Sequence, residues 1–356
     1  MLFRSALGQV EAIRRLALEM HPDRVGLALS PVDLVQIAAS GRRVVAIGLE
    51  NGYPLGEDTG NLKKFYDLGV RYVTLSHVGH NQICDSANRL WGGSVFEGGD
   101  TLNAAGIKVL RFVLYAEIYY SESQAEPRWK GLSPLGEKMV REMNRLGMMI
   151  DLAHVSDSTF YDVLRLSRAP VIVSHSSCRA LSSLARNLSD EQIMALRDNG
   201  GVVQINAVGA YVKFPRAQRA AADSLYRSLG GPGAVRNMFR LLREDRAAYD
   251  SLTAAAGEAI DRITRRFGRP TVADYVDHID HVVQVAGIDH VGVGTDFDGG
   301  AGVEGLASAS DYVNITEELI RRGYTLEQME KIWGGNLLRV WSAVEEAAEK
   351  QEPASH

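Results

Sequence analysis

The sequence predicts an α/β chain built on a parallel (β/α)8 barrel, and three observations predict that fold. Short apolar runs of β-branched and aliphatic residues alternate with amphipathic stretches along most of the 356 residues. Tight turns with glycine join several of them, as strand–helix–strand units of a parallel sheet require. Ionisable side chains follow directly on the apolar runs, at the strand ends that form the active-site face of a barrel.

Six apolar runs are the predicted strands. Each is short and rich in aliphatic residues, which is typical of strands that are buried on both faces. They are RVVAIGLE (43–50), RYVTLSH (71–77), MMIDLAH (148–154), PVIVSHS (170–176), GVVQINAV (201–208) and HVGVGTDFD (290–298). Because a barrel needs eight strands, the pattern predicts a barrel that lacks its first two strands, both placed before Met1.

Amphipathic helices are predicted between several of these strands. They cover 61–69, 134–147, 157–167 and 189–200. Gly69 and Gly147 close two of them, and glycine suits the residue that follows a helix. An opening helix is also predicted, because Leu7, Val10 and Ile13 recur at helical spacing.

Two segments are longer than ordinary connections. Residues 92–130 contain the apolar run GIKVLRFVLYAEIYY, which is compatible with a strand pair or with a packing arm. Residues 209–270 are rich in Arg and Ala and predict a helical excursion, either over the barrel mouth or in an oligomer contact. The tail 343–356 is predicted to fray from a helix. With no internal repeat and no linker, we predict one domain over 1–356.

Composition excludes several classes of protein. A formal net charge of −5 without a basic stripe argues against nucleic-acid binding. Two cysteines cannot form a disulfide framework or a cysteine-rich zinc module. No run is long and apolar enough to span a membrane, and no secretory signal pattern opens the chain. The chain as given is therefore expected in the cytoplasm, unless an export signal belongs to a segment before Met1.

Five ligand-type residues end predicted strands: Glu50, His77, His154, His175 and Asp296. In a barrel they would converge in one mouth. The imidazoles of His154 and His175 with the Glu50 carboxylate make a mixed nitrogen and oxygen set that suits zinc. The alternatives are a helix N-cap or a surface ion pair for Glu50, and hydrogen-bonded core positions for the histidines.

Asp296 and Arg186 are candidates for catalysis and substrate binding on chemical grounds. Asp296 follows the last apolar run and can take a proton from an activated water, whereas Asp298 fits a turn position better. Arg186 can clamp a substrate carboxylate through two hydrogen bonds, although an arginine there is also compatible with an ordinary surface position.

Other catalytic schemes are less well supported. The chain has no G-x-S-x-G elbow, no P-loop and no G-x-G-x-x-G after a strand. Ser176 and Cys178 offer nucleophiles in SHSSC, but no oxyanion loop accompanies them. His278, His281 and His290 are interpreted as helix-face or loop residues.

The motifs ENGYPLGED, LGVRYVTLSH, GLSPLGEKMVREMNRLGMMIDLAHVS, LSRAPVIVSHSS, ARNLSDEQ and HVGVGTDFDG occur in that order between about residues 40 and 340. In this combination the chain resembles the membrane (renal) dipeptidase family of zinc dipeptidases, within the metal-dependent hydrolase (amidohydrolase-like) superfamily. The resemblance implies a (β/α)8 barrel, two zinc ions that share a bridging hydroxide, hydrolysis of the peptide bond of dipeptides, and a homodimer.

The resemblance also implies roles for single residues. Glu50 would bridge both metals, and His154 with His175 would hold one of them. His77 would bind substrate and stabilise the tetrahedral intermediate. Arg186 would bind the substrate carboxylate, and Asp296 would act as the acid and base.

The sequence departs from the family at the second zinc. The family holds that ion with an H-x-D pair at the end of the first barrel strand, and no such strand is found here. His21-Pro22-Asp23 spells H-x-D but follows a helix, so we predict a loop. One zinc site is expected to persist. The alternative to a working dipeptidase is a truncated, catalytically impaired homologue that binds at most one metal and serves as a binding or structural chain.

Overall fold

The computed structural model describes residues 2–88, 103–118 and 124–350. Eight strands lie in these ranges. They are β1 (Val25–Leu27), β2 (Arg43–Val45), β3 (Ile47–Glu50), β4 (Val70–Thr74), β5 (Met149–Asp151), β6 (Ile172–Ser176), β7 (Val202–Ile205) and β8 (Val291–Val293). The strands β3 to β8 form one six-stranded sheet, and β1 and β2 form a separate pair.

The six-stranded sheet is parallel throughout, and its strands lie beside one another in chain order. Its register brings strand ends together, because Glu50 is opposite Thr74 and Thr74 is opposite Asp151. Val73, Ile150 and Val173 of this sheet are buried in its apolar core. The predicted α/β fold with a parallel sheet is therefore confirmed. Within the described ranges β3 and β8 are the two edges, and no ladder joins them.

Fifteen α-helices are present in the described part of the chain. They are α1 (Leu2–Arg15), α2 (Pro31–Ala39), α3 (Gly60–Asp67), α4 (Ala104–Ile118), α5 (Pro134–Leu146), α6 (Asp157–Leu166), α7 (Asp190–Asp198), α8 (Gly209–Val212), α9 (Arg216–Ser228), α10 (Ala234–Glu244), α11 (Arg246–Phe267), α12 (Val272–Ala286), α13 (Tyr312–Arg321), α14 (Leu326–Glu330) and α15 (Asn336–Glu349). Among the described residues no helix is long and apolar enough to cross a membrane.

Helices between the sheet strands begin at serine caps and are followed by glycines, as their sequences predict. Ser133 caps α5 by accepting a hydrogen bond from the Gly136 amide, and Ser189 forms a capping box with Gln192 at α7. Gly69 and Gly147 follow α3 and α5 with φ of 101° and 71°. Glycine adopts this left-handed backbone without steric cost. The predicted helices 61–69, 134–147, 157–167 and 189–200 are confirmed.

The first predicted strand, 43–50, is wrong as a single element. The chain forms β2 and then β3 on either side of Ala46, and β2 pairs with β1 instead of the main sheet. β1 itself was not predicted, because a three-residue VGL strand is too short to show a period. His21 and Asp23 lie in the turn before β1 and line a separate cavity with Gly41 and Arg43, so the predicted loop is confirmed.

The long segment around 92–130 contains a helix. Its apolar run forms α4, so the strand-pair alternative is wrong, while 89–102 and 119–123 lie outside the described residues. The excursion 209–270 is helical as predicted and supplies α8 to α11. Val109 and Val113 of α4 share an apolar cluster with Met238 and Phe239 of α10, so the two insertions pack on each other.

The predicted fraying tail begins too early. Helix α15 continues to Glu349, and its Val344 is buried against Trp341 and Val340. Residues 351–356 of the predicted tail lie outside the described residues. The segment 343–349 is therefore helical, and its Val344 packs on the core.

Candidate active site and metal centre

The five residues predicted at strand ends lie at one edge of the sheet. Glu50 is the last residue of β3, and His175 lies within β6. His77, His154 and Asp296 follow β4, β5 and β8 by three residues each. Because parallel strands present their carboxyl ends on the same side, the fold brings these side chains together. Four of them, Glu50, His77, His154 and Asp296, line one cavity.

Glu50, His154 and His175 form the tightest group. The Glu50 Oε1 atom lies 3.2 Å from His154 Nε2 and 3.4 Å from His175 Nε2. The two Nε2 atoms are 2.9 Å apart. Both histidines are buried, while the Glu50 side chain is 47% exposed. The three ligand atoms lie within 4.8 Å of one another, so this group can hold a metal ion.

A buried hydrogen-bonded chain orients His175. Asp151 accepts hydrogen bonds at Oδ2 from Thr74 Oγ1 at 2.5 Å and from Ser174 Oγ at 2.6 Å. Ser174 Oγ also contacts His175 Nδ1 at 2.8 Å. Since the single hydroxyl proton of Ser174 goes to Asp151, His175 Nδ1–H is the donor in the second bond. The Nε2 lone pair of His175 is therefore left free for a metal.

Asp151 and Ser174 were missed in the sequence, although a signal existed. Asp151 interrupts the apolar run MMIDLAH, and a buried carboxylate requires partners. Its Oδ1 atom accepts from the amides of Ala153 and Ser174, so both of its oxygens are satisfied. The side chain of Asp151 thus lies beneath the site without an unpaired oxygen.

His154 is positioned by its backbone. Its φ of 67° is left-handed, and its carbonyl accepts hydrogen bonds from the Ala87 amide at 2.8 Å and from Ser86 Oγ at 3.1 Å. Its Nδ1 atom is buried and has no hydrogen-bond partner among the described residues. The strained backbone turns the ring so that Nε2 faces Glu50 and His175.

Electrostatics favour the protonation states that a metal site needs. Burial raises the pKa of Glu50, but its close contacts with the rings of His154 and His175 outweigh burial and hold that pKa well below its usual range. Burial lowers the pKa of His154 far below its usual value, and the positive charge of Arg186 adds to this. Glu50 is therefore ionised and His154 neutral, which are the forms that ligate metals.

His77 and Asp296 flank this group. His77 Nε2 is 3.8 Å from Glu50 Oε1, and burial lowers the pKa of His77. Asp296 has a left-handed φ of 55° and accepts at Oδ2 from Asn206 Nδ2 at 3.0 Å. Asp298 also lines the cavity, within the short helix that follows Asp296. Asp298 therefore borders the cavity together with Asp296, although the sequence favoured Asp296 alone.

Arg186 lies behind His175. It is 4% exposed, and its Nη2 atom donates to the His175 carbonyl at 2.8 Å. It is not among the residues that line the cavity, although its charge acts on His77 and His154. The structure thus brings Arg186 to the site but gives it a contact with protein backbone rather than an open position.

The cavity has a volume of about 810 Å3. That size is within the range of small-molecule sites. One of its walls is α4, through Ile107, Arg111 and Tyr115 among others. The apolar pattern of residues 92–130 does not show which of its side chains line a cavity, so these residues were not predicted.

His278 supports the loop after His175 from outside the cavity. It is fully buried in α12, and its Nδ1 atom accepts from the Cys178 amide at 2.9 Å. Its Nε2 atom then donates to the Val212 carbonyl at 2.9 Å. His281 lies on the same helix and His290 just before β8, so the helix-face and loop positions predicted for the three histidines are confirmed.

Acid is expected to destabilise the metal-free protein through His278. Burial lowers the pKa of His278 from 6.5 to about 4. Between these two pH values the unfolded chain therefore binds a proton at His278 that the folded chain does not bind. The contribution of neutral His278 to the free energy of unfolding is complete above pH 6.5 and is lost as the pH falls toward 4. From the linkage between proton binding and folding, the free energy of unfolding is expected to fall by on the order of 2 kcal/mol between pH 8 and pH 5.

Urea unfolding of the wild type and of His278→Gln at pH 8 and pH 5 measures the contribution of His278 to this pH dependence. Glutamine does not titrate, so the variant should lose less stability on acidification by that amount. Equal pH dependence in the two proteins would contradict the assignment.

Comparisons with known proteins place this geometry in a family. The sequence profile described as "Membrane dipeptidase (Peptidase family M19)" matches residues 2–113 and 100–355. The chain is 32% identical over 98% of its length to "Dipeptidase tcpJ" of Claviceps purpurea. It is 30% identical over 98% of its length to "Uncharacterized dipeptidase C965.12" of Schizosaccharomyces pombe. It spans 62% and 66% of the lengths of these relatives.

A solved structure gives the same result. The crystal structure of the probable dipeptidase PvdM from Pseudomonas aeruginosa superposes with a TM-score of 0.74 at 31% identity, covering 97% of this chain and 81% of that one. The resemblance read from the motifs is confirmed. The chain therefore belongs to the membrane dipeptidase family, peptidase family M19.

Proposed function

We propose that this chain is a zinc-dependent dipeptidase that hydrolyses the peptide bond of dipeptides. The observation that carries the proposal is the group of Glu50, His154 and His175 at the edge of the cavity. Membership of the family supports it, as do relatives whose names are dipeptidases. The relatives are longer than this chain, so their whole activity is part of the proposal.

The spacing of the three ligand atoms fits zinc. Tetrahedral zinc with bonds of about 2.0–2.1 Å places its ligand atoms about 3.3 Å apart. The separations of 2.9, 3.2 and 3.4 Å between these atoms are close to that value. Two imidazoles and one carboxylate with an open position are also the donor set of catalytic zinc sites. We therefore assign one zinc ion to this group.

A second zinc ion has weaker support in this chain. The family resemblance implies two, but among the described residues this is the one group of three or more metal-ligand side chains. His21 and Asp23 line a different cavity from Glu50. The proposal therefore places one metal in the described site.

We also propose the (β/α)8 barrel that the family resemblance implies. The support is a sheet of six parallel strands in chain order with its site at their carboxyl ends. In this proposal β3 to β8 are six of the barrel strands. Nothing in the described part of the chain supports the predicted placement of two missing strands before Met1.

The residues around the metal would share the work of peptide hydrolysis. Glu50, His154 and His175 would hold a zinc ion, which would supply Lewis-acid chemistry and lower the pKa of a water molecule. Asp296 accepts the proton from the attacking water and returns it to the departing amine. The neutral imidazole of His77 donates a hydrogen bond to the carbonyl oxygen that becomes negative. Arg186 adds positive charge that favours the free carboxylate of a dipeptide.

Zinc removal and return test this function. The purified chain is dialysed against a chelator and then titrated with zinc, while amine release from Leu-Leu and Ala-Ala is followed. We expect one tightly bound zinc per chain, loss of hydrolysis on chelation, and recovery on zinc addition. Zinc binding without hydrolysis of any dipeptide would favour the non-catalytic alternative, and absence of both would refute the metal site as well.

A further inference from the structure

One wall of the cavity is apolar and belongs to α4. Ile107, Leu110 and Leu114 all line the cavity. Their spacing of three and four residues puts them on one face of the helix. The polar residues Glu50, His77 and Asp296 line the same cavity from strand ends. The cavity therefore combines a polar catalytic side with an apolar side from a different element.

Ile107 is the most exposed of these three residues. It is 56% exposed, whereas Leu110 is 7% exposed. A large aliphatic side chain that borders a cavity beside reactive groups leaves apolar surface for a ligand to cover. The cavity volume of about 810 Å3 leaves room for more than the backbone of a dipeptide.

The opposite face of α4 fixes the wall in place. Val109 and Val113 are buried in the cluster with α10 and α11. Lys108 Nζ donates to Asp261 of α11 at 2.5 Å. Gly106 packs so closely on α11 that a Cβ there would lie 1.8 Å from the hydroxyl of Tyr249. Because Tyr249 is fully buried, α4 is held at a distance that only glycine permits.

Two side chains of α4 also join the wall to the loop that carries Asp296. Arg111 Nη2 donates to the Gly300 carbonyl at 2.6 Å. The Tyr115 hydroxyl donates to the Gly299 carbonyl. Gly299 in turn donates its amide to Asp296. The apolar wall therefore keeps a set distance from the proposed proton-transfer group.

We propose that Ile107, Leu110 and Leu114 form the side-chain subsite and select dipeptides with a large apolar side chain. The inference rests on the proposed dipeptidase function and names its substrate class. A leucine side chain placed against the wall buries apolar surface on both partners, which a methyl group cannot do. The polar backbone of the dipeptide then faces Glu50, His77 and Asp296.

The test compares Leu-Leu with Ala-Ala as substrates of the zinc-loaded chain. Ile107→Ala removes part of the wall and is expected to lower the kcat/KM ratio of Leu-Leu to Ala-Ala about fivefold. This decrease is smaller than the discrimination that a closed apolar pocket achieves for one methylene group, because the wall is open on one side. Ile320→Ala is the matched control, since Ile320 is 58% exposed on α13 and does not line the cavity. Its ratio should equal that of the wild type.

Gly106→Ala tests the placement of the wall without altering a lining residue. The added methyl group pushes α4 away from α11, so the ratio should change while the hydrolysis of Ala-Ala changes less. Equal changes for both substrates in Ile107→Ala, or no change in that variant, would overturn the subsite.

Calorimetric binding of the two dipeptides separates this inference from the proposed function. If the wild type hydrolyses neither peptide but binds Leu-Leu more tightly than Ala-Ala, and Ile107→Ala abolishes that preference, the dipeptidase proposal fails and the subsite stands. If the wild type shows no preference in binding or in hydrolysis, the subsite is refuted whatever the fate of the dipeptidase proposal.

Discussion

Glu50→Gln is expected to abolish tight zinc binding and to lower dipeptide hydrolysis about a thousandfold. Glutamine keeps the shape of Glu50 but removes the charge that faces His154 at 3.2 Å and His175 at 3.4 Å. A metal contributes several kcal/mol to stabilising the transition state. Since 1.36 kcal/mol is a factor of ten in rate, losing that contribution gives a decrease of this size.

The fold should survive this substitution. The Glu50 side chain is 47% exposed, so glutamine does not bury a new polar group. Glu57→Gln is the matched control, because Glu57 is an exposed glutamate in the loop that follows β3. Zinc content by atomic absorption, kcat/KM for Leu-Leu and urea unfolding of the metal-free proteins make the comparison. Full zinc content with full activity in Glu50→Gln would remove the carboxylate from the metal site.

The convergence of the site was predictable because parallel strands impose it. A residue at the carboxyl end of one strand lies beside the corresponding residue of the next, as Glu50, Thr74 and Asp151 do in the observed register. Once the apolar runs are recognised as strands, their terminal polar residues must share an edge. The order of the strands in the sheet follows from the short connections between them.

The fold could not be predicted where local pattern and tertiary pairing disagree. Residues 43–50 look like one strand, yet the chain changes partner at Ala46 because β1 is available to pair with β2. The apolar run in α4 shows no clean helical period, since one face lines the cavity and the other packs on α11. A helix that is covered on both sides has apolar residues all round.

The fine geometry of the site depends on long-range contacts that no local pattern contains. The hydrogen bonds from Thr74 and Ser174 to Asp151 join three strands. Arg186 was expected to meet substrate, but the same guanidinium donates to the His175 carbonyl. Sequence identifies the chemical type of such residues, whereas packing decides which partner each one meets.

Asp296→Asn is expected to lower kcat by about a hundredfold to ten-thousandfold while zinc stays bound. Asparagine tolerates the left-handed backbone at φ of 55° and keeps an oxygen that can accept from the Gly299 amide. It cannot take up a proton, so general acid and base catalysis is lost, and that loss has this magnitude. KM should change little, because the cavity keeps its shape.

The comparison with Asp298→Asn distinguishes proton transfer from simple charge in the cavity. Both carboxylates line the cavity, and both substitutions remove one negative charge. If Asp296 is the proton carrier, Asp296→Asn shows the large loss of kcat, and Asp298→Asn loses less than about tenfold. Equal losses in the two variants would mean that the cavity needs negative charge and not a particular proton acceptor. If Asp296→Asn loses more kcat than Asp298→Asn, equal zinc content in the two variants would show that the difference in kcat arises from proton transfer and not from the metal.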